Sequence, residues 1–269
     1  MKTLVYIICL GVLFYGIILM IFYLFQDRFL FFPGKTAFGD CPEMEKYNLT
    51  AQRFGNIRYY LQADPHPDRW IIIFHGNAGN ACDRTYFPDL LKAFNANIVL
   101  FEYPGYGKDT NSPTQSLIIE QALELTLHIK GMNPDNLPVY LMGESLGTGV
   151  ATITAAHTQV SGLILFSAYT SIAAVARHHY PWLPVNHVLK HKFQADIQAG
   201  RIQAPVILFH GTDDDIIPVQ FARQQVLNFA GAKKLVELSG CGHNDILDSG
   251  QKRIQEEIKN FMLKKAFLY

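Results

Sequence analysis

Gly143-Glu144-Ser145-Leu146-Gly147 follows the apolar run Pro138-Val139-Tyr140-Leu141-Met142 and leads into a small-residue run from Thr148 to Ala156. The pattern reads as a strand, a sharp turn and a helix, with Ser145 at the turn. Backbone is crowded at such a turn, and glycines two before and two after the serine remove the side chains that would clash. The hydroxyl then stands clear of the sheet, at the start of a helix whose backbone amides can bind an anion.

Similar apolar runs recur on both sides of this stretch. They are Trp70–Phe74, Ile98–Phe101, Val139–Met142, Gly162–Phe166, Pro205–Phe209 and Leu235–Leu238. All but the last are unbroken rather than alternating, which predicts strands buried on both faces. Helix-length segments lie between them. Ser116–Lys130 carries Leu117, Ala122, Leu125 and Ile129 on one side, and Ile254–Leu263 closes the pattern. Strands alternating with helices predict an α/β architecture around a mainly parallel sheet. Leu49–Leu61 alternates weakly and predicts an antiparallel hairpin at the sheet edge. Between Ala168 and Ile202 the rhythm fails: no strand is evident, and Pro181 and Pro184 interrupt the helical signals. A connection this long in a compact domain suggests a functional, lid-like insertion.

Composition narrows the function. Lys+Arg and Asp+Glu number 23 each, so the formal net charge is zero. No basic excess points to nucleic acid. Cys9, Cys41, Cys82 and Cys241 form no C-x-x-C pair and no disulfide framework. Cys41 and Cys82 can form one bridge in an oxidising compartment, or remain free buried thiols. Leu4–Phe25 has no charge and no proline and is long enough to cross a bilayer as a helix. It exceeds a usual signal-peptide core, and no small-x-small cleavage site follows closely. An uncleaved signal-anchor is therefore expected over residues 1–35, ahead of a catalytic domain over 36–269. Lys2 precedes the span and Arg28 and Lys35 follow it, a near balance that favours only weakly a domain on the non-cytoplasmic side. Phe29-Leu30-Phe31-Phe32-Pro33 reads as an interfacial patch, or else as a first buried strand.

A serine nucleophile needs a general base, and the base needs an orienting carboxylate. Downstream of Ser145, His243 lies in Gly240-Cys241-Gly242-His243-Asn244-Asp245, just after the last strand. Flanking glycine on a loop suits a mobile imidazole, so His243 is the candidate base. His210-Gly211-Thr212-Asp213-Asp214-Asp215 begins where another strand ends, as ligand-binding groups do in parallel sheets. Asp214 is the candidate acid, with Asp213 and Asp215 as alternatives. The two aspartates not used would face water or cap the helix starting near Pro218. His75-Gly76-Asn77-Ala78-Gly79-Asn80 follows the strand Trp70–Phe74. It is placed to give one oxyanion-binding amide from Asn77, or from Ala78, and Leu146 would give the other.

These motifs, in this order across residues 45 to 265, resemble the α/β-hydrolase superfamily; Tyr103-Pro104-Gly105-Tyr106-Gly107 belongs to the same series. More narrowly the chain is similar to membrane-anchored α/β-hydrolase domain proteins, whose span is followed by a Gln-x-x-x-Leu-x-Phe-x-Pro type segment. Gln26 to Pro33 matches it loosely. The resemblance implies an eight-stranded hydrolase-type sheet flanked by helices, with the lid insertion and a transmembrane helix added. Aligned on His210, it implies Asp214 as the acid. It further implies a serine hydrolase of esters or thioesters, needing no cofactor and no metal; the anchor and the aromatic segment Phe29–Phe32 suggest a small-molecule or lipid-like acyl ester reached at the membrane surface. A peptidase on the same fold and a catalytically silent binding protein are the alternatives. No dinucleotide fingerprint or P-loop is present. His187 and His191 stand four apart but lack a helper carboxylate, so they read as solvated or lid-lining. Tyr180-Pro181-Trp182-Leu183-Pro184 reads equally as acyl-pocket wall or lid packing.

Overall fold

The computed structural model describes residues 1–263, so residues 264–269 of the expected 36–269 domain lie outside the described residues. One sheet of eight strands organises the domain. In chain order these are β1 (Thr50–Phe54), β2 (Ile57–Gln62), β3 (Arg69–Phe74), β4 (Ala96–Glu102), β5 (Val139–Glu144), β6 (Gly162–Phe166), β7 (Val206–Gly211) and β8 (Lys233–Leu238). Their spatial order is β1-β2-β4-β3-β5-β6-β7-β8, and only β2 runs antiparallel to its neighbours. The expected edge hairpin is β1–β2, paired from Thr50 opposite Leu61 to Phe54 opposite Ile57.

The unbroken apolar runs have a direct cause. Successive side chains on a strand point to opposite faces, so a strand covered on both faces must be apolar throughout. Trp70, Ile72 and Phe74 of β3 enter one core with Leu141, Leu163 and Leu208. Ile71 and Ile73 enter the other with Met142, Phe166 and Phe209. Helices α2 (Gln115–Gly131) and α3 (Leu146–His157) cover the first face, through residues such as Ile118, Leu125 and Val150. Thr114 caps α2 by accepting a hydrogen bond from the Leu117 amide at 3.2 Å. The short helix Tyr86–Leu91 and the last helix, Gln251–Met262, cover the second face through Phe87, Leu90, Ile254 and Ile258.

Two features lie outside the sheet. Helix α1 (Lys2–Leu30) is one continuous rod, long and apolar enough to cross a membrane. After it, Phe32 and Pro33 pair in parallel with Ala78 and Gly79. The Phe29–Pro33 patch is therefore divided: Phe31 is buried, whereas Phe29 and Phe32 are exposed. Residues 168–202 contain helix α4 (Ile172–His179), two single-turn helices, Val185–Val188 and Ala195–Ala199, and no strand. Cys41 and Cys82 are bonded, with Cα atoms 5.9 Å apart, which tethers the segment before β1 to the turn after β3.

Glu102 ends β4 and is 1% exposed, with the Arg58 guanidinium and the Ala81 amide as the groups that favour its ionised form. Burial raises its pKa to about 8, against a smaller opposing pull from the Arg58 guanidinium. The folded chain thus holds a proton that the unfolded chain has lost. The stability gained by keeping this acid neutral is full below about pH 4.5 and is lost as pH rises towards 8. Glu102→Gln should remove that loss. Thermal melts should show the variant gaining on the wild type between those pH values, by a few kcal/mol at about 1.4 kcal/mol per pH unit. A constant difference between the two proteins over that range would show that Glu102 does not carry the proton.

Candidate active site

Ser145 sits between β5 and α3 with φ 50° and ψ −117°. A positive φ is costly for a non-glycine residue, about 1–3 kcal/mol, and persists only where the surroundings impose it. Here the Ser145 amide donates to the Phe166 carbonyl at 2.9 Å, and its carbonyl accepts from the Thr148 amide at 2.9 Å and hydroxyl at 2.7 Å. The two flanking glycines are required by close approach. A Cβ on Gly143 would overlap the Gly147 carbonyl, and one on Gly147 would overlap the carbonyls of Phe74 and His75.

The C-terminal ends of four strands bring the candidate residues together. Ser145 follows β5, Asn77 follows β3, Asp214 follows β7 and His243 follows β8. His243 Nε2 lies 3.0 Å from Ser145 Oγ, and His243 Nδ1 lies 2.7 Å from Asp214 Oδ2. With Nδ1–H donating to the carboxylate, Nε2 is free to accept the serine proton. The other carboxylate oxygen, Asp214 Oδ1, accepts from the amides of Ile216 at 3.0 Å and Ile217 at 2.7 Å. Burial works to raise the Asp214 pKa. His210 Nε2, 3.3 Å from Oδ2, the hydrogen bond from His243 Nδ1 and the Ile217 amide outweigh it, and the carboxyl titrates well below the usual carboxylate range.

Among the three adjacent aspartates, burial distinguishes one. Asp214 is buried, while Asp213 and Asp215 are exposed. Asp213 accepts from Thr212 Oγ1 at 2.8 Å. Neither exposed aspartate caps the next helix, α5 (Gln220–Asn228), which has no side-chain cap. On the His243 loop, Asp245 Oδ1 accepts from the Gly242 amide at 2.6 Å and holds the turn.

The His75–Asn80 loop is held by its carbonyls. Tyr103 and Tyr106 donate to the carbonyls of His75 and Asn77, each at 2.7 Å, which accounts for both tyrosines of the Tyr103–Gly107 motif. Arg84 Nη2 donates to the Ala78 carbonyl at 2.6 Å. Asn77 and Leu146 line one cavity with Ser145, whereas Ala78 lies on a separate polar groove beside His243. His75 itself is buried, and burial together with the nearby Arg84 charge lowers its pKa to about 3. It stays neutral and donates from Nδ1 to the Gly76 carbonyl at 2.7 Å.

Sequence reasoning missed several residues around this centre. Glu144, inside the serine motif, accepts from Arg84 Nε at 2.7 Å and from Tyr86 Oη at 2.7 Å, and its Oε2 lies 3.3 Å from the Gly76 amide. This pairing ties the elbow to the His75–Asn80 loop. His210 packs beneath Asp214 and donates from Nε2 to the Ile217 carbonyl at 2.7 Å. The sequence offered His210 as the marker four residues before the acid, and its contact with the Ile217 carbonyl became visible only in the fold. His187 and His191 do not form a pair. His191 is buried, accepts from the Gln115 amide at Nδ1 and faces Asp27 at 2.9 Å through Nε2.

The Ser145 cavity measures about 210 Å³. Its walls include Leu146, Ile172, Tyr180, Leu183 and Val188, with Phe22 and Leu30 from α1. Tyr180 and Leu183 of the aromatic–proline cluster are thus pocket wall, while Trp182 is half exposed and packs on Phe22.

This fold and this juxtaposition of side chains define a class, and the comparisons place the chain within it. A family model described as Serine aminopeptidase, S33 matches residues 65–195. The chain is 34% identical over 197 residues to a putative alpha/beta hydrolase of Acanthamoeba polyphaga mimivirus, covering 69% of this chain and 70% of the relative. The chain belongs to the α/β-hydrolase superfamily. Within it, the chain resembles the ABHD-type serine hydrolases. It is 30% identical over 174 residues to the lysophosphatidylserine lipase ABHD12 of Macaca fascicularis, covering 57% of this chain and 44% of that one. In structure, the ferulic acid-bound Est1E of Butyrivibrio proteoclasticus superposes with a TM-score of 0.65 at 20% identity, over 80% of this chain and 98% of that one.

Proposed function

We propose that this chain is a membrane-anchored serine hydrolase that cleaves carboxylic esters or thioesters carrying an apolar acyl chain. The observation that carries the reading is the hydrogen-bonded series Ser145, His243 and buried Asp214 at the wall of an apolar cavity. Ser145 Oγ attacks the acyl carbonyl carbon while His243 Nε2 takes its proton. The amides of Leu146 and Asn77 bind the developing oxyanion. The intermediate collapses, and His243 returns the proton to the leaving alcohol or thiol. His243 then deprotonates a water that attacks the acyl-enzyme, and the carboxylic acid is released. Asp214 holds the imidazole in the tautomer this sequence requires.

Residues 1–35 serve as the anchor and interfacial segment of the domain that follows, and 168–202 as a lid over the cavity. The Cys41–Cys82 bond supports a domain on the oxidising, non-cytoplasmic side of the membrane. A second reading, an aminopeptidase, draws support from the matching family model and from the polar groove beside His243, which Asp83, Glu144 and Asp248 line. Two of these carboxylates are already engaged, Glu144 by Arg84 and Asp83 by the Asn80 amide at 2.9 Å.

The test is covalent labelling of the full chain by a fluorophosphonate, followed by a panel of acyl esters, acyl thioesters and aminoacyl amides. Labelling with turnover of the acyl esters is expected. Preference for the aminoacyl amides would transfer the assignment to the peptidase. A folded protein that neither labels nor turns over any of them would make it a binding protein.

A further inference from the structure

Helix α1 is longer than the hydrocarbon core it would cross. At 1.5 Å per residue its 29 residues extend roughly 44 Å, against a hydrocarbon core of about 30 Å. The excess corresponds to the C-terminal turns, and those turns dock on the domain. Leu19, Phe22, Gln26 and Leu30, three or four residues apart, are shielded, with Ile18 and Asp27 beside them, on a helix otherwise largely exposed. Gln26 is 4% exposed. Its Oε1 accepts from the Lys190 amide at 2.6 Å, and its Nε2 donates to the Val188 carbonyl at 3.1 Å. Asp27 faces His191, Tyr15 Oη donates to the Trp182 carbonyl at 2.7 Å, and Asn77 Nδ2 donates to the Leu30 carbonyl at 3.0 Å. The helix is thus fastened to both the 168–202 segment and the loop beside Ser145.

Phe22, Gln26, Phe29 and Leu30 line the same cavity as Ser145. They run about 12 Å along the helix axis, back towards the apolar part of the span. We infer that α1 is one wall of the acyl-binding site, and that Phe22, at its membrane end, sets the length of acyl chain accepted. The substrate class that fits is a single-chain amphiphile taken from the plane of the bilayer, its acyl tail sliding along α1 while its ester reaches Ser145. This rests on the acyl-hydrolase reading above. It adds that the membrane helix is a specificity-determining part of the site and not only a tether.

The experiment compares kcat/KM for p-nitrophenyl butyrate and dodecanoate, using the full chain in detergent micelles. Phe22→Trp narrows the membrane end of the cavity and should lower the dodecanoate-to-butyrate ratio about tenfold, the scale of a misfit in an apolar pocket. Phe22→Ala opens that end and should move the ratio the other way, so a folding failure of one variant leaves the other to decide. Phe14→Ala, at a position 66% exposed on α1 and away from the cavity, should leave the ratio unchanged. An unchanged ratio in the Phe22 variant or variants that fold, or an equal change in Phe14→Ala, overturns the inference while the acyl-hydrolase reading stands. A wild type that hydrolyses neither ester and takes no fluorophosphonate overturns both.

Discussion

Replacing Ser145 by alanine is expected to remove ester turnover by about a millionfold and to abolish fluorophosphonate labelling, with the fold intact. The magnitude follows from the proposed role: without Oγ no acyl-enzyme could form, and only substrate binding and the proposed oxyanion amides could still assist water. The fold should survive because the bonds that hold this residue at positive φ are made by its backbone, to Phe166 and Thr148. Among the described residues, the side chain bonds to His243 alone. Single-turnover kinetics with an aryl ester and a thermal melt read the two halves of the prediction. Turnover retained in the variant would take Ser145 out of the mechanism.

Asp214→Asn should lower kcat by roughly ten-thousandfold, whereas Asp213→Asn and Asp215→Asn should stay within a few-fold of wild type. An asparagine amide can donate to Nδ1 of His243 and so stabilise the tautomer that carries its proton on Nε2, where the serine proton has to go. Among the described residues, Asp214 is the aspartate bonded to the imidazole, and its exposed neighbours are not. The depressed pKa of Asp214 adds a stability arm. Its ionised form is favoured in the folded chain, so the stabilisation is present above the ordinary aspartate pKa of about 3.9 and is lost as pH falls towards the lower folded value. Melts of Asp214→Asn should therefore approach wild type as the solution is acidified. A uniform loss of activity across all three asparagine variants would mean that the loop, and not one carboxylate, was perturbed.

What could be read in the sequence was local or periodic. Runs such as Trp70–Phe74 announce strands because both faces must be apolar, and the glycines around Ser145 announce a turn because a Cβ cannot fit there. His243 was legible through its place after the last strand. The choice among Asp213, Asp214 and Asp215 rested on the family alignment, because burial separates them only once β7 is placed. The Cys41–Cys82 pairing was open for the same reason. Least legible were contacts between distant segments. Gln26 reads as a polar end to an apolar helix, and nothing near it announces Lys190, 164 residues away. Likewise Arg84 and Tyr86 give no sign of Glu144, since the three meet only when β3 and β5 lie side by side.

The docked helix also bears on how the protein can be handled. Cutting the chain after residue 30 to obtain a water-soluble enzyme would strip Leu19 and Phe22 from Leu183, Val185 and Leu189 and leave that seam wet. It would also leave the Lys190 amide and the Val188 carbonyl without Gln26, and Asn77 without the Leu30 carbonyl. Expression and purification strategies therefore favour the intact polypeptide in detergent or nanodiscs, because a shortened version would report the substrate range of a site with one side missing.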